Sequence, residues 1–147
     1  MSVIPDSFSK SITIHTTTSK LWDTLTRPEL MKQWMPDDSI EIITDWTVNS
    51  TVIIRGNLHG HLFVNTGVVL HFEPLHRLAY NHLSSLSELP DVSESYTTWE
   101  FTLEESGDKT ILTVTCSNFP TESIYRHLLF YWNGTLGIIK KLLEKMH

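Results

Sequence analysis

Apolar and polar residues alternate in short runs between residues 40 and 118, whereas from Pro120 onward apolar residues recur every three or four positions. The first pattern predicts antiparallel strands and the second one long amphipathic helix. The predicted strands are Phe8–Thr16, Ser39–Thr44, Thr51–Leu58, Leu62–Phe72, Leu78–Leu83, Tyr96–Glu104 and Thr110–Ser117. In the first, Phe8, Ile12 and Ile14 share one face. Turn chemistry separates the later runs: Asn49-Ser50, Gly60, Glu73-Pro74 and Ser106-Gly107-Asp108. Connections this short favour hairpins, because parallel neighbours need crossovers of about a dozen residues or more.

Two short helices are expected after the first strand. Ser19 is the expected cap of one through Leu21, Trp22 and Leu25, and Pro28 opens a second, PELMKQW, which ends at Pro36. In the final helix, Ile124, Leu128, Trp132, Leu136, Ile139, Leu143 and Met146 form an apolar stripe. From Glu122 to Lys145 that helix is about 36 Å long, enough to cross a sheet. Gly134 and Gly137 lie inside it, and each costs roughly 1 kcal/mol relative to alanine. Close packing on the sheet and space left for a ligand are both readings of that pair. The Ser84–Ser95 stretch is the longest irregular loop, of the kind that forms lids.

A sheet and a helix that each have one apolar face must bury them together. The expected architecture is α+β: a curved antiparallel sheet of about seven strands wrapped around the C-terminal helix, in one domain spanning residues 1–147. A chain of 147 residues buries roughly two-thirds of its unfolded surface.

Composition narrows function mostly by exclusion. The net charge of −6, with no Lys/Arg-rich strand or loop, argues against nucleic acid. Lys140, Lys141 and Lys145 cluster at the helix C-terminus, where they complement its dipole. Cys116 is the one cysteine, so no intrachain disulfide or cysteine-based zinc site can form. No secretory h-region or membrane-length apolar run is present, and a cytoplasmic protein without membrane insertion is expected. His59 and His61, two residues apart, are too few for a metal site, and Asp37-Asp38 lacks a calcium-loop pattern. No phosphate loop, nucleophile elbow or H-E-x-x-H motif occurs, so neither metal nor cofactor is expected.

An ordered series of motifs carries a family resemblance over almost the whole chain. Residues 19–29, SKLWDTLTRPE, resemble the "vWdaLTdPe" first helix of the family related to the activator of the heat-shock chaperone ATPase. Gln33-Trp34-Met35-Pro36 is similar to its "kWwgP", and Asp45-Trp46-Thr47-Val48 to its "DlRvGG" turn. Gly67 through Pro74, Leu78-Ala79-Tyr80 and Thr110 through Val114 follow its strand patterns, and Trp132, Leu136, Ile139 and Leu143 its closing helix. The chain departs from the pattern at Asn49-Ser50, His71, His82 and Cys116. The resemblance implies the helix-grip fold of the START, or SRPBCC, superfamily. It also implies that single-domain relatives mostly bind small apolar molecules, while the family's eponymous members stimulate a chaperone ATPase and carry a further domain.

Strand parity then suggests a cavity wall. Thr97, Trp99 and Phe101 share a face with Leu103, as do Val114 and Cys116 with Leu112. Val68, Leu70 and Phe72 form another stripe, and Leu78, Tyr80 and His82 a fourth, all expected to face Tyr125, Leu128 and Trp132. Such a lining, mainly apolar with a few polar groups, suits a small-molecule site, although the same stripes could pack into a solid core. The leading expectation is a non-enzymatic carrier of a small apolar or aromatic ligand. Tyr80, His82 and Thr97 would orient it, while the Ser84–Ser95 loop and the helices near Trp34 gate access. One alternative is a chaperone-associated interaction module using exposed aromatics such as Trp46. Another is a cyclase or hydrolase using a pocket histidine, either His82, which lacks an evident acid partner, or another. A homodimer is compatible with the sequence but not fixed by it.

Overall fold

The computed structural model describes residues 4–35, 40–58 and 60–145. The chain runs β1 (Ser7–Ile14), α1 (Thr18–Thr26), α2 (Pro28–Met31), β2 (Glu41–Ile43), β3 (Thr51–Leu58), β4 (His61–Glu73), β5 (Arg77–Ser84), β6 (Thr97–Ser106), β7 (Lys109–Ser117) and α3 (Glu122–Glu144). The strands form one seven-stranded antiparallel sheet in the order β1-β7-β6-β5-β4-β3-β2. From β2 to β7 every neighbour is also the next strand in sequence, as short turns require. Only β1 joins from a distance, closing onto β7.

Local chemistry sets the boundaries. The cap of α1 is Thr17, not Ser19: its hydroxyl accepts from the Lys20 amide at 3.1 Å, and Ser19 lies within the helix. The second helix is shorter than PELMKQW; after Met31 the chain continues in turns held by Trp34 N–H and Met35 N–H on the Met31 carbonyl. The second strand starts at Glu41, and Ser39, like Asp37, Asp38, His59 and Met146, lies outside the described residues. The loop after β5 holds two 3₁₀ turns, Ser85–Ser87 and Ser93–Ser95. Asn118 pins it from β7's end by donating to the Tyr96 carbonyl at 2.5 Å.

The helix lies along the concave face with Leu128, Trp132, Thr135, Leu136, Ile139 and Leu143 buried. Its C-terminal end is fastened to β1, where Lys140 Nζ donates to the Thr13 carbonyl at 2.8 Å and Glu144 accepts from the His15 amide at 2.9 Å. At its start Tyr125 meets Phe8 and Phe119, ring centroids 6.2 and 5.1 Å away. A Cβ at Gly134 or Gly137 would meet nothing within 4 Å, so close sheet packing does not require either glycine, and neither lines the cavity described below.

β4 contains the sheet's main irregularities. Its pairing with β5 shifts between Val69 and His71, leaving Leu70 as an extra residue in a bulge. Val69 is fully buried while Leu70 is 42% exposed, so the stripe expected through Val68, Leu70 and Phe72 does not exist. The bulge returns Phe72 to the inner side, where it packs on Trp22 and Trp46. Just before it, Gly67 passes so close to β5 that a Cβ would sit 1.7 Å from the Asn81 carbonyl oxygen. Asn81 Oδ1 there accepts the Val68 amide at 2.8 Å, so a side chain replaces a ladder bond.

The two kinds of glycine predict opposite responses. Gly67→Ala should destabilise by about 3 kcal/mol, because backbone cannot yield as a side chain can. Gly134→Ala should stabilise by roughly 1 kcal/mol through helix propensity. Urea denaturation of both variants checks the pair; a neutral Gly67→Ala would show that β4 and β5 separate easily.

Candidate functional site

Inner-face positions of β5, β6 and β7 are Leu78, Tyr80 and His82; Thr97, Trp99, Phe101 and Leu103; and Thr110, Leu112, Val114 and Cys116. Period-two geometry alone puts them there. Towards β1 and the helix C-terminus this face is packed solid: Leu112, Val114, Cys116 and Ile139 have no exposed surface. Towards the helix N-terminus it is hollow. A partly open cavity of about 480 Å³ lies between the β3–β5 side of the sheet and the first turns of α3.

Four groups of residues build its wall. The sheet supplies Ile54, Phe63, Asn65, His82, Leu83, Thr97 and Trp99. From α3 come Ser123, Ile124, His127, Leu128 and Tyr131, successive turns on one side of the helix. The loop after β5 contributes Leu86, Ser87 and Ser95, next to Ser84 at the strand's end. Met35 and Ile40 close the side below α2. The wall is mainly apolar, and its volume falls in the range of small-molecule sites.

Of the twelve residues suggested by parity, the structure brings His82, Thr97, Trp99 and Leu128 together in this wall. Tyr80, Phe101, Val114, Cys116 and Trp132 lie in the core beside it, each with 1% exposure or less. Phe72 packs under Trp46, Tyr125 sits over Phe8, and Leu70 points outward. Ser123, Ile124, His127 and Tyr131 on α3, and Leu86, Ser87 and Ser95 in the loop expected to gate access, are not among the twelve, because none carries strand alternation. Phe63 and Asn65 alternate into the face from Val69, a signal that the bulge at Leu70 conceals.

Electrostatics in and under the wall follow burial. Desolvation, with His127 nearby, lowers the His82 pKa from 6.5 to about 4, so the imidazole is neutral at pH 7. Its ring meets Trp99 edge-on with centroids 4.5 Å apart. Burial pushes the Tyr131 phenol to about 12 and the Cys116 thiol to about 12, which makes Cys116 a poor nucleophile. Tyr80 is raised for the same reason. Trp46, expected to be a surface contact, is instead tied down: its Nε1 donates to the Thr26 carbonyl at 2.8 Å and its ring stacks on Phe72. Among the described residues no cluster of three metal-ligating side chains occurs, and no helix is long and apolar enough to cross a membrane.

The chain is similar to several solved structures. A Cytophaga hutchinsonii protein solved in solution shares 27% identity with a TM-score of 0.83, over 99% of this chain and 98% of that one. A Chromobacterium violaceum crystal structure shares 16% identity and a TM-score of 0.80, over 96% and 99% of the two chains. The Aha1 dimer of Colwellia psychrerythraea, also a solution structure, shares 22% identity and a TM-score of 0.72 over 94% and 96%. These last two likenesses establish fold alone. No curated protein matches the sequence. Residues 15–144 match the family described as activator of Hsp90 ATPase homolog 1-like protein, and with nearly the whole chain covered in the helix-grip arrangement, the protein belongs to that family.

Proposed function

We propose that the protein binds a small, mainly apolar ligand in the cavity between the β3–β5 side of the sheet and the N-terminal half of α3, without catalysing a reaction on it. The observation that carries this reading is the 480 Å³ hollow in a fold whose other half is tightly packed. Trp99, Phe63, Ile54 and Leu128 would supply apolar contact, and Thr97, Asn65 and neutral His82 would orient polar atoms. Catalysis by His82 is disfavoured because, among the described residues, the wall holds no carboxylate to orient the imidazole. A cytoplasmic setting suits a chain whose one cysteine is free.

The second reading, a chaperone-associated module, draws on the family description and on Leu62 and Phe130, 77% and 80% exposed. Such a role would use the outer surface and leave the cavity idle. Pull-down of a stoichiometric partner by wild type but not by Phe130→Ser would favour it.

A thermal-shift screen of small aromatic and aliphatic compounds tests the cavity reading. A ligand at a hundredfold its Kd should stabilise the fold by about 2.7 kcal/mol. Ile124→Trp, which fills the space from the first turn of α3, should weaken such binding at least about tenfold while leaving the circular dichroism spectrum unchanged. Full binding by that variant would move the ligand elsewhere.

His82 also predicts a pH dependence. Its folded pKa lies below the unfolded value, so between pH 6.5 and about 4 the unfolded chain binds the extra proton. Stability from this group is therefore complete above pH 6.5 and falls as pH drops towards 4. The loss is on the order of 2 kcal/mol, below the full linkage value because the ring borders the cavity. Urea titrations of wild type and His82→Gln at pH 7.5 and 4.5 should differ by that amount in their pH response.

A further inference from the structure

We propose that the cavity selects for charge state: its ligand is an uncharged molecule, and carboxylates and amines of the same size and shape are rejected. This rests on the cavity being a ligand site, as proposed above, and adds the chemical class of what it holds. Among the described residues, none of those forming the wall is an aspartate, glutamate, lysine or arginine. Polar groups are present: the amide of Asn65, the hydroxyls of Ser84, Ser87, Ser95, Thr97 and Ser123, and the imidazoles of His82 and His127. Ser95 and Thr97 are 6% and 2% exposed, so an ion placed against them would be stripped of water with no counter-ion beside it. Desolvating a charge without a partner opposes binding far more than desolvating a neutral hydroxyl or amide.

The features that could attract an ion are already answered. The N-terminus of α3 borders the cavity at Ser123, but the Thr121 hydroxyl accepts the Ile124 amide at 3.1 Å, and Glu122 places a carboxylate in the first turn. Both reduce the pull of the helix dipole on an anion. The chain's net charge of −6 further disfavours anions at long range. That same field would draw a cation towards the mouth, but no carboxylate among the described residues lines the wall. Of the two histidines in the wall, His82 is kept neutral by burial, and His127 lies exposed on α3. The hydroxyls and Asn65 remain able to bond carbonyl and hydroxyl groups, so the preferred ligand carries those on an apolar frame.

The test uses matched series on alkyl, one-ring and two-ring frames, each frame presented as a primary amide, a carboxylate and an amine. Affinities for the full-length protein are measured by calorimetry at pH 7.5. The amide should bind at least about tenfold more tightly than the carboxylate or amine on the same frame. Carboxylates or amines binding as well as the amides would overturn the charge selection while leaving the cavity reading intact. If no compound of any series binds below about 1 mM, the cavity reading itself fails and this inference with it. Ser87→Lys, in the loop after β5, supplies a cation at the wall. It should shift the amide-to-carboxylate preference at least about tenfold towards the carboxylate, and an unchanged preference would show that ligands bind away from this wall.

Discussion

A single helix cannot cover a seven-stranded sheet. Strands lie about 4.8 Å apart, so seven span roughly 29 Å across, whereas a helix with its side chains is about 10–12 Å wide. The helix α3 is tied to the β1 side by Lys140 on Thr13, Glu144 on His15, and Tyr125 on Phe8. The β3–β5 side must therefore be covered by something else, since its inward positions are Ile54, Phe63 and other apolar groups. The cover comes from three unrelated pieces: the segment after α2, the loop after β5 and the free flank of α3. Such pieces do not interdigitate as a helix and sheet do, and the cavity is the space their mismatch leaves.

Trp132 sets the border of that space. It is fully buried, with ring centroids 6.0 Å from Trp34, 5.2 Å from Trp99 and 5.5 Å from Phe101. Beyond it towards the C-terminus, Leu136, Ile139 and Leu143 meet the sheet directly. Before it, Leu128 and Tyr131 face the hollow. Trp34 is held from the other side by its Nε1 donating to the Thr24 carbonyl at 2.9 Å. A hydrogen-bonded indole thus braces the helix at its middle, and nearly three turns of α3 lie before this support.

The architecture was legible because it follows from periods: alternation gave the six strands after the helices, and a three-to-four step gave α3. The misses were local. Thr17 rather than Ser19 caps α1, a choice between two hydroxyls that spacing cannot make. The extra residue at Leu70 inverts parity within one strand, so Leu70 and Val68 were read on the wrong face while Phe72 was right. The site was half legible. Stripes identify which residues face inward, and Trp99, Thr97 and His82 were found that way. They do not reveal which inward residues meet a neighbour and which meet a void, because that depends on where the helix lies across the sheet. Tyr80 and Phe101 share their faces with His82 and Trp99, yet they end in solid core.

Local strain gathers at the same border. Trp46 has a left-handed backbone, φ +59°, which costs an ordinary residue about 1–2 kcal/mol. It is held there by its bond to Thr26 and its stacking on Phe72. Gly67 and Asn81 make a close strand crossing, and Leu70 a bulge, within a few residues of each other. The hydroxyl of Tyr80 and the indole nitrogens of Trp99 and Trp132 are buried without a hydrogen-bond partner among the described residues. Each such group costs about 1–3 kcal/mol. Edge-to-face contacts, as between Trp99 and Trp132 at 80°, offset part of this by setting a positive ring edge on a negative face. The sequence thus retains tyrosine and tryptophan where phenylalanine would avoid the polar penalty, and it does so beside the hollow. At the opposite end Leu112, Val114 and Ile139 are apolar, but the buried Thr110 hydroxyl donates to the Thr16 carbonyl at 2.9 Å and the Thr16 hydroxyl is buried without a partner among the described residues.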